Sequence, residues 1–189
     1  MKIQSIVLLG ELRELTLKNI VVPEELKNKS SGTLNYRTAP ASWTALECIE
    51  HLNFYGDYYL SEIGKQTDTS PFPAEEIFKS GRLGNYFAKS MRPGQESRKM
   101  KTLKSSNPLG KVIGKEVIDH FIEDQNKILD LLKKAERVSL TRTKTGTSIA
   151  GWIKLRLGDT LRVVIYHNQR HLLQAQRAVQ SFNTSAAPV

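Results

Sequence analysis

"YHNQRHLLQAQR", residues 166–177, sets two histidines four apart in a run of good helix formers. Four residues of α-helix turn through about 400° and rise ~6 Å, so His167 and His171 lean out on one face, one turn apart. Gln174 shares that face, and Thr160, Val164 and Ala178 continue it above and below. A mixed apolar and imidazole face of this kind suits the interior of a helix bundle, where metal sites are built from inward side chains on facing helices. Asp159 or Thr160 is expected to cap this helix, which reads as running to about Ser181.

Working outward, the spacing predicts three more helices. Residues 2–18 carry Leu8, Leu12 and Leu15 at i, i+4 and i+7, with Leu9 beside them. Val21, Val22 and Pro23 are expected to end that helix, and 24–42 reads as a connection. In "SWTALECIEHL" Thr44 is an N-cap with Glu47 three residues later, a capping box, and Trp43 is placed to staple onto Cys48. This second helix reads as running to about Ile63, with Gly64 at its C-terminus. Residues 65–107, broken by "SPFP", "SGRLG", "RPG" and "SSNP", hold at most a short helix near 74–80. Asn107-Pro108 is expected to open the third helix, which reaches about Lys134 on a stripe of Val117, Phe121, Ile128 and Leu132. Residues 137–158 read as a loop with extended pieces.

Four such helices indicate an all-α four-helix bundle, one domain over 1–182 with a frayed tail over 183–189. The 43-residue link after helix two far exceeds the usual 2–8 residues between antiparallel neighbours. It is long enough to travel back along a helix, so a crossover between helices two and three is expected.

Composition narrows the setting. Of 189 residues 39% are apolar, and the longest apolar run, "SIVLLG", is too short for a membrane span or signal peptide. The single cysteine, Cys48, excludes an internal disulfide and fits a reducing cytoplasm. Net charge is +9, and residues 79–111 hold nine basic side chains against one acid, Glu96. That stretch is either a weak polyanion-binding surface or a solvated connection. The chain carries no Ser-His-Asp set, P-loop, dinucleotide fingerprint or paired-cysteine motif.

The remaining histidines are His51 and His120. His51 lies about 10 Å past its cap, and His167 and His171 about 12 and 18 Å past Asp159. Antiparallel packing of helices two and four would let the three rings converge. On spacing alone two readings stay open, a three-histidine metal site or a hydrogen-bonded polar layer. His120, near Glu116, Asp124 and Lys127, reads as solvent-facing. Gln174 and Glu47 are candidates to steer the ligand rings, and Tyr55 and Tyr59 to wall the pocket. Trp43 reads as a structural anchor and Cys48 as a small core residue.

"WTALECIEHL" (43–52) followed far downstream by "HNQRHLLQAQR" (167–177) resembles the DinB-like superfamily. The family pattern is Trp-Ser/Thr before helix two, His before Leu within it, and H-x3-H-x2-Q on helix four. Here these are Trp43-Thr44, His51-Leu52, and His167, His171 and Gln174. The resemblance implies an up-down-down-up bundle, a divalent metal, often nickel or zinc, on His51, His167 and His171, and a homodimer. It also implies a metal enzyme acting on a small molecule, foremost an S-transferase using a low-molecular-weight thiol. A metal-dependent hydrolase and a non-catalytic stress-related or polyanion-binding metal protein are the alternatives.

Overall fold

The computed structural model of the chain describes residues 1–94, 102 and 104–185. Helices dominate, and four long ones carry the core: α1 (Ser5–Lys27), α3 (Ala45–Asp68), α5 (Glu116–Ala135) and α6 (Leu157–Ser185). Two shorter ones, α2 (Ser31–Leu34) and α4 (Arg82–Met91), lie in the connections. Each of α1 and α3 packs against both α5 and α6, and α4 packs on α6. Two small antiparallel ladders complete the fold. In one, β1 (Lys2–Gln4) pairs with β2 (Ile77–Lys79) in the register Lys2↔Lys79, Ile3↔Phe78, Gln4↔Ile77. In the other, β3 (Lys144–Thr145) pairs with β4 (Leu155–Arg156).

Several boundaries depart from the sequence reading, each for a physical reason. The first helix does not stop at Pro23 but continues to Lys27. Its buried positions, Leu8, Leu12, Thr16, Asn19, Pro23 and Leu26, hold a three-to-four spacing through the proline. Packing of that continuous face offsets the lost backbone hydrogen bond, a defect of about 3 kcal/mol in an isolated helix. Residues 2–4 are strand rather than helix, because Ile77–Lys79 offers them a ladder. The short helix expected near 74–80 is that strand partner: Phe78 is buried while Ile77 and Lys79 are exposed, a period of two. The helix of this region comes later, at Arg82–Met91.

Helix α3 starts at Thr44 with both capping-box bonds formed, and it runs through Gly64 to Asp68. The third long helix begins at Glu116, not at Pro108. Lys111 N–H instead donates to Pro108 O at 3.0 Å, closing a turn in which Gly110 takes φ +80°. That positive φ at the third turn position is the geometry glycine allows. Helix α6 starts two residues ahead of Asp159 and ends at Ser185, beyond Ser181. Asp159 is therefore not its cap. Fully buried in the first turn, it accepts from Gly81 N–H (2.7 Å), from Ser80 Oγ–H and from Arg162 (3.1 Å), and so locks α6 to the approach of α4.

The core falls into two clusters. One gathers Leu8, Leu12, Ile63, Ile128, Leu161 and Ile165; the other gathers Leu26, Ile49, Leu52, Phe121, Leu172 and Val179. Buried amides stitch the helices together at the seam: Asn168 Nδ2 donates to Gln125 Oε1 (3.2 Å) and Asn19 Nδ2 to Ile165 O (3.3 Å). The histidines of α6 sit at this seam, between Tyr166 of one cluster and Leu172 of the other. Among the described residues no helix is long and apolar enough to cross a membrane. Of the basic stretch, Arg98, Lys99 and Lys101 lie outside the described residues, and Arg82 and Lys89 lie on α4.

Candidate metal centre

His51 of α3 meets His167 and His171 of α6, because α3 and α6 pack along each other. One ring nitrogen from each falls within 4.8 Å of the other two. His51 Nε2 lies 3.2 Å from His167 Nε2, and the ring centroids are 4.7–5.1 Å apart. His51 is buried and the other two are half-buried.

Outer partners set the direction of the lone pairs. His51 Nδ1 lies 2.9 Å from Ser106 O. A carbonyl only accepts, so Nδ1 carries the proton and Nε2 keeps its lone pair for the centre. His171 Nδ1 likewise donates to Gln174 Oε1 at 3.0 Å, which frees its own Nε2. Ser106 closes the 3₁₀ turn Lys104–Ser106, so the crossover between α3 and α5 orients the His51 ring on α3. Trp43 backs the trio, its ring centroid 4.6 Å from His51 and 5.5 Å from His171. Its indole donates to Asn107 Oδ1 at 3.1 Å, one residue past Ser106.

Three neutral imidazoles suit a divalent ion. Metal–nitrogen bonds of 2.0–2.1 Å at tetrahedral angles place nitrogens about 3.3–3.4 Å apart, close to the His51–His167 separation. Burial holds the His51 imidazolium at about 4, despite the helpful Ser106 carbonyl. Burial, with the nearby His51 ring, lowers His171 to about 3. His167 is pushed well below the usual histidine range by burial, then by His171, His51 and Arg170. All three therefore stay unprotonated near neutrality, the state a metal requires. Among the described residues no carboxylate joins them, so a divalent ion bound by the trio alone would leave the centre at +2.

The centre opens on a cavity of about 90 Å³ lined by the trio with Tyr55, Met91, Thr102 and Arg170. Arg170 donates to Ser90 O at 3.0 Å, which places its guanidinium at the mouth. Tyr55 packs edge-on against His51 and His167, at 4.9 and 5.0 Å, and its Oη is 3.2 Å from Ser106 Oγ. Tyr59 is one turn further out, where its Oη accepts from Ser148 N–H and Oγ–H at 3.3 Å. Glu47 is buried and accepts from Thr44 N–H (2.8 Å), Gly110 N–H (2.5 Å) and Arg37 (2.7 Å). Burial raises its carboxyl, but Arg37 and the two backbone donors outweigh that and hold it below the usual range. Glu47 thus braces the start of α3 and the turn after Ser106. Cys48 is fully buried, and desolvation lifts its thiol far above the usual range.

His120 lies elsewhere, half-exposed between Asp57 (3.3 Å) and Asp124 (3.7 Å). Sequence reasoning did not single out Ser106, Arg170, Met91 or Thr102. "SSNP" signalled a turn, but nothing local in it signals that a turn carbonyl will reach a histidine 55 residues earlier.

A family model described as the DinB superfamily matches residues 22–175. No curated protein and no solved structure matches the chain.

Proposed function

The chain belongs to the DinB superfamily, and from that premise we propose a divalent-metal enzyme whose ion, nickel or zinc, is held by His51, His167 and His171. The reaction we propose is S-transfer from a low-molecular-weight thiol to a small electrophile. The observation that carries the reading is the orientation of the imidazoles: Ser106 and Gln174 each engage an outer Nδ1, which turns Nε2 inward. A divalent metal bound there supplies the positive charge that favours a thiolate over a thiol.

The remaining work falls to the chain itself. Burial keeps the three rings neutral, and Ser106 and Gln174 hold those of His51 and His171 in place. The Arg170 guanidinium at the mouth favours an anionic thiol over a neutral one. The thiolate sulfur forms a bond to an electrophilic carbon, and the leaving group departs with the electron pair of the broken bond. Tyr55, with its phenol at the same mouth, is the group placed to donate a proton to that leaving group.

The same reading takes the long helices as a four-helix bundle in up-down-down-up order, one domain over 1–182, in a cytoplasmic homodimer. In its support, the packing pairs close a ring α1–α5–α3–α6, and the long connection lies between α3 and α5. Elemental analysis of the purified chain should find about one divalent ion per chain, and thiol conjugation to an electrophile should require it. Conjugation undiminished in a metal-free, folded His171→Ala variant would sink the transferase reading.

A second reading, a polyanion-binding metal protein, rests on the nine-to-one basic excess of 79–111. Labelled DNA should then bind without sequence preference and weaken steeply with salt, because phosphate contacts release counterions. A salt-insensitive, sequence-selective complex would contradict it.

A further inference from the structure

Beside the metal centre lies a second cavity of about 220 Å³, whose lining includes Tyr55, Met91 and His167, residues that also line the first. The two cavities therefore meet at these three side chains, and their chemistry differs. The first holds Arg170, Thr102 and the ligand nitrogens. Among the described residues the second holds no Asp, Glu, Lys or Arg. Its walls come from four elements: Tyr59 on α3, Phe87 on α4, Leu155 on β4, and Val163 on α6. Away from the seam with the first cavity, the hydroxyls of Tyr59 and Thr147 are engaged within the wall. Tyr59 Oη accepts from Ser148, and Thr147 Oγ1 donates to Ala150 O at 3.0 Å. A ligand there meets carbon surface on most sides, and a charged body placed against Phe87, Leu155 and Val163 would lose its hydration without a charged partner among the described lining residues.

We infer that this chamber seats the apolar body, alkyl or aryl, of the small electrophile that reacts at the histidine trio, with the polar end turned to His167. The inference rests on the metal-enzyme reading above. It divides the two reactants by polarity: the anionic thiol enters on the Arg170 side, and the apolar partner waits on the Phe87 side. Size supports a small molecule rather than a peptide, since a cavity of about 220 Å³ lies below the roughly 300–1,000 Å³ usual for drug-sized ligands. Enclosure by Phe87, Leu155 and Val163 from different elements gives the chamber a fixed depth. It should therefore select on length.

The test is a ladder of n-alkanols, butanol to decanol, titrated into the full chain with and without added zinc and followed by calorimetry. Each added methylene should tighten binding about fourfold until the chamber fills, after which affinity stops rising. Val163→Phe should move that limit to a shorter chain and Phe87→Ala to a longer one. The two variants push in opposite directions, so misfolding of one leaves the other to decide. A flat ladder, or a limit that neither variant moves, would overturn the inference, because the alcohols would then be bound elsewhere or not at all. An n-alkyl hydroxamate ladder with the same limit, tightened by zinc in the wild type and not in His171→Ala, joins the chamber to the metal. A moved alkanol limit without any zinc effect on the hydroxamates keeps the chamber and removes the metal reading.

Discussion

Among the described residues two trios of metal-donor side chains lie along α3, and they are built in opposite ways. His51, His167 and His171 join α3 to α6; Asp57, His120 and Asp124 join α3 to α5. Both bring three donor atoms within 4.8 Å. In the first trio the outer nitrogens of His51 and His171 are engaged by Ser106 and Gln174, so lone pairs face inward with nothing to balance them. In the second a lysine already occupies one of the carboxylates. Lys127 sits 3.0 Å from Asp124 Oδ1, and His120 lies 3.3 Å from Asp57 and 3.7 Å from Asp124. Asp57 is exposed and mobile water can serve it, whereas Asp124 is buried and turns its Oδ2 toward Gly56. Proximity of donors thus says little by itself. What sets the histidine trio apart is that the protons of His51 and His171 are directed away from its centre.

The most severe test of this contrast is deletion of one ring from each trio. His167→Ala should lower metal affinity at least ~100-fold, the upper range for even an outer-partner loss, while His120→Ala should leave stoichiometry unchanged. Chelator competition with elemental analysis reads both. Equal loss in the two variants would erase the distinction. Next in size is Gln174→Ala, which frees His171 to turn and should weaken metal binding about 10- to 100-fold. An unchanged affinity would mean that the amide orients nothing.

For the second trio the expected effect is on stability instead. Lys127→Met leaves the buried Asp124 carboxylate with His120 alone and should cost about 1–2 kcal/mol in urea unfolding, tempered because Lys127 is largely exposed. Metal content should not change. A smaller and slower signature is the acid response of the metal-free protein. The unfolded chain protonates its histidines near 6.5, but folded His51 and His171 resist to about 4 and about 3. Between those values the unfolded state binds more protons, so stability present above about 6.5 is lost as pH falls toward 3. His171→Ala should shorten that acid limb in a melting-temperature series.

The elements most legible in the sequence are those fixed by local chemistry. Thr44 and Glu47 set the start of α3 because a capping box is closed within four residues. The spacing of His167 and His171 reads directly as one helical face. What sequence did not yield depends on distant partners. Pro23 looks like a stop signal until the buried face through Leu26 is known to have something to pack on. Residues 77–79 look helical until Lys2–Gln4 is known to lie beside them. Asp159 has the character of a cap, but Ser80, Gly81 and Arg162 draw it inside. Within the site, the histidines were legible by type and period, whereas the Ser106 carbonyl carries no side-chain signature. Trp43 was readable as an anchor, but not that it would anchor the rings themselves.

The split of the trio between α3 and α6 also has a meaning in time. His51 and His167 are 116 residues apart. At about 5–20 residues per second, roughly 6 to 23 s of synthesis separate them on the ribosome. During that interval α3 carries a lone imidazole, and no pair of ligands exists to chelate an ion. On the proposed metal reading, an ion can be chelated only after the α6 pair has been made, and its identity reflects the free metal pool met from that point on. Shifting that pool would then change the occupant without altering a residue.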